Sequence, residues 1–279
     1  MIWINSGLIQ HLYSKGNANE VCPAQVKAFY IDKTHEHPDR LAWQQGRYFE
    51  SQCIGKSRDG VEDDLPRDKR NGKKTADHMR IDDQVLVWRQ VQKKYHIAVD
   101  DSNVQVHLRT PYNEKYGLSG TLDVFPTTVL DISTGEEIPA AIDLKLADDV
   151  EGTWGNFCWG SPTHMDFTQG IHYSYLVQTI NNELNDFSAY SDAFLEVCKN
   201  RGVQFFYFVF GYKKNKGFRN PIRVVMDDMK RSEYKETLRK VVSALDMMAA
   251  NDWAPERSAD LCPRCPITEC PMKNAIVDV

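Results

Sequence analysis

Two aspartates and a lysine on neighbouring predicted strands could together carry out metal-assisted chemistry. Asp123 lies in the apolar run that begins at Gly120, and Asp143 and Lys145 lie in the next run. The turn-forming residues at 134–137 predict that the two runs are consecutive strands. Side chains two residues apart on a strand point to the same face, so Asp143 and Lys145 face one site. Two carboxylates beside an ammonium group suit a hard divalent cation that activates water.

A surface ion pair is the simpler explanation for Asp143 and Lys145, since Asp-x-Lys is common on strands. The apolar neighbours of Asp143 argue against a surface ion pair. Ile142 and Leu144 are apolar and face the opposite side, into a core, and an unpaired charge in such a strand is costly. We therefore interpret the pair as part of a functional site.

Three motifs follow one another in a recognisable order. They are Gly120-x-x-Asp123, Asp143-x-Lys145 and, on a predicted helix, Gln169-x-x-x-Tyr173. This order resembles the PD-(D/E)xK nuclease superfamily in its RecB-like branch. The resemblance implies an α/β fold with a restriction-endonuclease-like mixed central sheet flanked by helices. An N-terminal helical region and a C-terminal cysteine cluster lobe would complete the fold.

The resemblance also implies a role for each residue of the strands. Asp123, Asp143 and the Leu144 carbonyl would bind Mg²⁺ or Mn²⁺. Lys145 would orient or polarise the attacking water.

Two helices are expected to add residues to this site. Gln169 and Tyr173 lie four apart, on one helix face, and would line the site and its phosphate contacts. Glu50 occupies the fourth position after Gly46, which resembles the acidic variant of the family's Gly-x-x-x-His helix, and it would be a further metal ligand. A capping or ion-pair role for Glu50 is the alternative. His78 is a second candidate for the histidine position.

Four cysteines predict a separate metal centre. Cys262, Cys265 and Cys270 are closely spaced near the C-terminus, and close thiolates can surround one metal centre. Cys22 is the candidate fourth ligand, because these four cysteines are each followed by proline and the other three are not. The pattern resembles the iron–sulfur subgroup of the same superfamily, which implies a 4Fe–4S cluster that joins the two chain ends. Zinc is the alternative.

Charge and composition restrict the possible environment. The net charge is −5, so a nuclease of this composition must concentrate its positive charge locally. Basic residues in 55–75 and 213–219 are candidate phosphate contacts. No apolar run approaches the length of a membrane span, and we read no signal peptide. We expect a protein of the bacterial cytoplasm, of bacterial or phage origin.

Hydrophobic periodicity and the resemblance together divide the chain into three regions. They are a helical region with the first cluster cysteine (1–100), the core that the resemblance implies to be the nuclease (101–229), and a C-terminal helix with the cysteine lobe (230–279). Within them we predict helices over 76–97 and 232–251, helical structure over 5–37, and a strand over 203–212 that is covered on both faces. The glycine- and aromatic-rich loop 152–160 could stack bases through Trp154, Phe157 or Trp159, or pack over the core.

These features predict a metal-dependent DNA nuclease. The iron–sulfur relatives that the chain resembles act mainly on single-stranded or end-bearing DNA, often as exonucleases, and the resemblance implies the same preference here. A non-catalytic DNA-binding subunit of a repair, recombination or CRISPR adaptation complex is the alternative. The sequence contains no Gly-x-x-x-x-Gly-Lys-Ser/Thr motif, so unwinding would need a helicase partner. An integrase-like partner is the other possibility.

Overall fold

The chain forms two compact units, each built from segments distant in sequence. The computed structural model describes residues 1–13, 21–36, 40–57, 65–154, 167–180, 184–185, 196, 202–214, 216–256, 262 and 265–273. Unit 1 comprises Met1–Asp39, Pro111–Leu118 and Asp227–Val279, and unit 2 comprises Arg40–Thr110 and Ser119–Met226. Both chain ends therefore belong to unit 1. The predicted helical region 1–100 is divided between the two units.

A seven-stranded mixed sheet contains the strands predicted to carry the site. The strands are β1 (Ile2–Ile4), β2 (Val104–Pro111), β3 (Tyr116–Leu130), β4 (Glu137–Asp149), β5 (Gln204–Lys214), β6 (Gly217–Phe218) and β7 (Ile222–Val224). Their order is β1-β3-β4-β5-β6, with β2 beside β3 and β7 beside β5. β3 and β4 are antiparallel, whereas β4 and β5 are parallel. The predicted mixed α/β sheet is confirmed.

Side-chain caps mark the starts of the two longest helices. They are α1 (Ser6–Tyr13), α2 (Pro23–Val26), α3 (Leu41–Ile54), α4 (Ala76–Lys94), α5 (Val150–Trp154), α6 (Thr168–Gln178) and α7 (Asp228–Ala250), and a π-helical turn (Lys27–Ile31) follows α2. The Thr75 side chain accepts from His78 N at 3.2 Å and begins α4. Asp227 caps α7 in the same way, accepting from Lys230 N at 2.7 Å. The two long predicted helices are confirmed within a few residues.

Strand β5 is buried on both faces, as its apolar sequence predicts. On one face, Phe210 packs against Phe49 of α3 and Trp88 of α4, with ring centroids 5.1 and 6.0 Å apart. On the other face, Phe205 packs against Tyr173 of α6 at 5.6 Å. Helices therefore flank both faces of the sheet in unit 2. Because side chains alternate between the two faces along a strand, the odd-numbered side chains of β4 lie on one side and the even-numbered ones on the other.

Unit 1 joins the two ends of the chain by packing and hydrogen bonds. Tyr13 at the end of α1 donates to the Lys240 carbonyl of α7 at 3.0 Å. Asp246 of α7 accepts from the Tyr116 hydroxyl at 2.8 Å and is also bonded to Lys115. No helix in the described ranges is both long and apolar enough to cross a membrane.

Gly120 allows α6 to approach β3 closely. A Cβ atom at this position would lie 2.4 Å from Cε1 of Tyr173 and 3.1 Å from Cδ1 of Leu176. Tyr173 is buried, and its ring occupies the space that a side chain at 120 would take. The glycine of the first motif and the tyrosine of the third therefore form one contact, which sets the distance between α6 and the strand that carries Asp123.

We predict that Gly120→Ala lowers the free energy of unfolding by about 1–3 kcal/mol, because the added methyl overpacks against a buried ring. Chemical denaturation of the purified proteins measures the change. Gly46→Ala is the control, because a Cβ there meets nothing within 4 Å and alanine is favoured in a helix. Equal stability of Gly120→Ala and the wild type would show that the Tyr173 ring can move away without cost.

Candidate active site

The register of β3 and β4 brings the two predicted aspartates together. Val124 lies opposite Ile142 in this antiparallel pair. One residue further along both strands, Asp123 and Asp143 are cross-strand neighbours on the same face. Ile142 and Leu144 belong to the core on the other face, as predicted.

Hydrogen bonds and an ion pair fix both carboxylates. Oδ2 of Asp123 accepts from the backbone N–H of Leu144 at 2.7 Å. Oδ2 of Asp143 lies 2.6 Å from Nζ of Lys145, and its Oδ1 accepts from Nε2 of Gln169 at 3.2 Å. The structure therefore brings Asp123, Asp143, Lys145 and Gln169 into one site.

Burial strengthens the electrostatic interactions between the charged groups of this site. Asp123 and Asp143 are both 0% exposed, whereas the side chain of Lys145 is 28% exposed. Like charges directly opposite each other on neighbouring strands destabilise a sheet, and burial increases the repulsion. The ammonium of Lys145 also lies 5.9 Å from the centre of the Tyr207 ring, on the adjacent strand. Of the three charged groups, Lys145 is the one that a ligand from solvent can reach.

Glu50, on α3, is also buried, and it lies near Asp123. The Cys53 thiol, one turn further along that helix, is fully buried. Burial raises the pKa of this thiol well above its usual range, Arg89 opposes the rise, and the negative charges of Glu50 and Asp123 add to it. Both carboxylates therefore lie near Cys53. Glu50 Oε1 accepts from Nε2 of Gln105, on β2.

The donor set fits Mg²⁺ or Mn²⁺ by its chemistry. Mg²⁺ is commonly held by one or two carboxylates, with water and substrate phosphate as the remaining ligands, and each carboxylate offers several lone pairs. Asp123 and Asp143 supply such a pair. Within the described ranges, which include Glu50, no three His, Cys, Asp or Glu side chains are arranged to hold a metal ion. The role of Glu50 as a third ligand stays a prediction, as does that of the Leu144 carbonyl.

Tyr173 and His172 anchor α6 against β3. Tyr173 fills the space over Gly120, so its observed contacts are those of packing. Nε2 of His172 donates to the Ser119 carbonyl at 2.9 Å, and the imidazole is completely buried. Burial lowers the pKa of His172 to about 4, although the bond to Ser119 favours the protonated form. His172 therefore stays neutral near pH 7 and holds the helix that carries Gln169.

His78, the alternative candidate, belongs to a contact between α3 and α4. Its Nε2 lies 2.9 Å from the Tyr48 hydroxyl, which donates to Asp82 at 2.7 Å. Since the Tyr48 proton points to Asp82, the N–H of His78 donates to the Tyr48 oxygen. This arrangement packs the two helices together.

The aromatic loop is described only at its beginning. Trp154 is buried and packs on Tyr207 with centroids 5.2 Å apart, so this side chain packs over the core. Phe157 and Trp159 lie outside the described residues. In the basic segments, Lys213 pairs with Asp77 at 3.2 Å and Lys214 lies 3.8 Å from Asp149. Their role as phosphate contacts stays a prediction.

The four predicted cluster cysteines all belong to unit 1. Cys22 and Cys265 are buried, Cys262 and Cys270 are partly exposed, and the N–H of Cys265 donates to the Cys262 carbonyl at 3.2 Å. All four are described, and no three of them are arranged around one centre. The cluster stays a prediction.

Sequence reasoning missed several residues that shape the site. Cys53, Gln105, His172 and Tyr207 carry no motif, and their positions depend on which elements pack together. Gln105 has a left-handed backbone with φ of 53°, which is uncommon for a residue with a side chain. Its amide bonds to Glu50, so a strained backbone position accompanies a contact at the site.

Comparison with known proteins supports the fold over the whole chain. No protein-family model and no curated protein matches the sequence significantly. A similar solved structure is the crystal structure of a "putative exonuclease" from Eubacterium rectale, with a TM-score of 0.53 and 15% sequence identity. The match covers 99% of this chain and 90% of that one. At this identity the likeness concerns the fold.

We predict that acid destabilises the protein through His172. Below pH 6.5 the histidine of the unfolded chain binds a proton, whereas folded His172 stays neutral until about pH 4. Stability contributed by neutral His172 is therefore complete above pH 6.5 and is lost as the pH falls towards 4, by about 3 kcal/mol. Urea denaturation at several pH values measures this loss.

The variant His172→Gln keeps an N–H that can donate to Ser119 but does not titrate. We expect its stability to fall less steeply between pH 6.5 and 4 than that of the wild type. His96→Gln, at a position where the side chain is 57% exposed, should keep the wild-type slope. Parallel curves for His172→Gln and the wild type would contradict the assignment.

Proposed function

We propose that this protein is a divalent-metal-dependent DNA nuclease, and that Asp123, Asp143 and Lys145 are its catalytic residues. The observation that carries the proposal is the pair of completely buried carboxylates on adjacent strands, with the ammonium of Lys145 at 2.6 Å from one of them. Two like charges that lie opposite each other in a buried position lower the stability of the folded state. A bound cation would offset that cost.

The site residues have distinct tasks in this proposal. Asp123 and Asp143 would hold Mg²⁺ or Mn²⁺, which supplies Lewis acidity and lowers the pKa of a bound water when present. The Leu144 N–H and the Gln169 amide each hold one oxygen of a carboxylate, so the remaining lone pairs keep a fixed direction. Both contacts are made by groups on regular secondary structure, which favours a pre-organised site.

Lys145 acts at the open side of the site. Its ammonium is held by Asp143 and remains partly exposed, so it can donate hydrogen bonds to an entering phosphate oxygen or to the attacking hydroxide. A positive charge placed where negative charge develops stabilises the transition state of phosphodiester hydrolysis.

Exonuclease action on single-stranded or end-bearing DNA is the finer part of the proposal. It is supported by the resemblance of the cysteine pattern to the iron–sulfur relatives and by the name of the Eubacterium rectale protein of similar fold.

We predict that Asp143→Asn lowers the rate of DNA hydrolysis in Mg²⁺ or Mn²⁺ by at least about 100-fold, because it removes a metal ligand without changing side-chain size. The assay measures release of nucleotides from labelled single-stranded and duplex DNA. Asp148→Asn is the matched control, since Asp148 is exposed on the same strand and should keep wild-type activity.

A second measurement separates metal binding from catalysis. Mn²⁺ should raise the melting temperature of the wild type and of Asp148→Asn, because a ligand that binds the folded state stabilises it. It should not raise that of Asp143→Asn. Equal DNA hydrolysis by Asp143→Asn and the wild type would overturn the catalytic assignment. DNA binding without hydrolysis by either protein would favour a non-catalytic subunit.

For the cysteines we propose a structural 4Fe–4S cluster that ties the two chain ends within unit 1. The support is the set of four thiol donors in one unit and the proline that follows each of them. We predict that protein purified without oxygen is brown, and that Cys265→Ser loses both the visible absorption and thermal stability. Iron, sulfide and zinc analysis checks the identity of the metal, and a colourless protein with bound zinc would replace the cluster with the alternative.

A further inference from the structure

A pocket of about 540 Å³ lies in unit 2 at the point where α4 ends. The last residue of α4 is Lys94, and the next residue, Tyr95, ends the helix and also lines the pocket. The other lining residues come from β3, β4, β5, β7 and the turns after β3 and before β7. Pockets of this volume hold small organic ligands, and they combine an apolar lining with a few polar groups that fix the orientation of the ligand.

Three apolar side chains from three strands form one side of the pocket, which we call its floor. Val129 of β3 pairs with Ile138 of β4, and Phe206 belongs to β5. Val129 and Phe206 are members of the hydrophobic core, and Ile138 packs against it, so the floor is the margin of that core. An apolar ligand placed on the floor removes further apolar surface from water, which favours binding.

Two exposed cationic side chains, Lys94 and Arg223, line the same pocket. Arg223 of β7 lies directly opposite Phe206 of β5, and residues directly opposite each other project to the same face of a sheet. Nζ of Lys94 lies 5.3 Å from the centre of the Tyr95 ring. Among the residues that the structure describes, neither cation forms an ion pair within 4 Å. Both positive charges therefore lie beside the apolar floor.

Asp131 is the acidic residue of the lining, and its charge is directed to the turn after β3. Its Oδ1 accepts hydrogen bonds from the Ser133 N–H at 2.9 Å and from the Ser133 hydroxyl at 2.5 Å. These bonds lower the pKa of Asp131, and the charge of Arg223 adds to the lowering. With Lys94 and Arg223 positive and Asp131 negative, the lining keeps an excess of one positive charge. The charge that an apolar ligand needs here is negative.

The pocket is separate from the candidate active site. Ile138 has the same parity as Ile142 on β4, so it faces the core, whereas Asp143 and Lys145 face the other side of the sheet. Neither Asp143 nor Lys145 lines the pocket, and neither does Asp123. A ligand bound here is therefore independent of the proposed nuclease chemistry.

We propose that this pocket binds a small aromatic carboxylate. Arg223 and Lys94 contact the carboxylate group, and the aromatic body lies on the floor between Phe206 and Tyr95, whose rings favour an aromatic partner. The guanidinium of arginine presents two parallel N–H donors that match the two oxygens of a carboxylate, which fixes the orientation of the ligand. A neutral molecule of the same shape keeps the apolar contacts and loses the charged ones.

The test uses two fluorescent probes with the same ring system and the whole chain. Anilinonaphthalene sulfonate carries an anionic group, and phenylnaphthylamine is neutral. We expect Arg223→Gln to raise the Kd of the anionic probe about 5- to 20-fold, the loss typical of one charge-assisted hydrogen bond at a partly exposed position. The Kd of the neutral probe should stay unchanged. Naphthoate should displace the anionic probe from the wild type, whereas the neutral naphthamide should not displace it at the same concentration.

Matched controls separate the pocket from the general charge of the protein. Lys94→Gln should weaken the anionic probe about 2- to 5-fold, the effect of one exposed charge. Lys93→Gln removes the same charge from the neighbouring exposed position of α4, which does not line the pocket, and should leave both Kd values unchanged. Arg239→Gln is the control for arginine, since its side chain is 66% exposed on α7 in unit 1.

Three results would overturn the carboxylate site. They are an Arg223→Gln variant that binds the anionic probe like the wild type, an equal weakening of both probes by that variant, and a failure of naphthoate to displace the probe. The Asp143→Asn variant should bind naphthoate like the wild type. A protein that binds naphthoate but does not hydrolyse DNA would therefore keep this site and lose the nuclease, and the reverse result would keep the nuclease alone.

Discussion

Two carboxylates that cannot reach solvent, Asp123 and Asp143, set the conditions under which unit 2 folds. Their burial requires hydrogen-bond donors, and two elements, β4 and α6, supply them. The backbone of β4 provides one donor through Leu144, the side chain of Lys145 provides a charge, and α6 provides the Gln169 amide. Each donor depends on correct register or helix placement, so the site forms only together with the sheet.

Residues without a proposed catalytic role position helix α6. The glycine at 120 admits the Tyr173 ring, and His172 donates to the Ser119 carbonyl on the same strand. These contacts lie within four residues of Asp123 on β3 and of Gln169 on α6. Packing and site geometry are therefore coupled, because a change in the distance between α6 and β3 also moves the amide that holds Asp143.

The opposite face of the sheet has a different task. There Phe206, Phe208 and Phe210 alternate with the site-facing residues of β5 and pack against α3 and α4. That aromatic layer holds α3 in place, and α3 carries the buried Glu50, the candidate third metal ligand. One helix thus contributes both to the core and to the set of candidate ligands.

The sequence by itself determined the alternation of β4, the strands β3, β4 and β5, the two long helices, and the grouping of Asp123, Asp143 and Lys145. These features depend on short-range periodicity and on one hairpin, which local residue patterns specify. Tertiary structure decided the rest. The division into two units, the contact of Gly120 with Tyr173, the burial of His172 and the nearness of Cys53 to two carboxylates join residues far apart in the chain. Such contacts arise from the packing of whole elements, and no local spacing encodes them. The partial exposure of Trp43, at 45%, is of the same kind, since an aromatic residue in a helix is equally suited to a core and only the packing of the helix decides how much of it is covered.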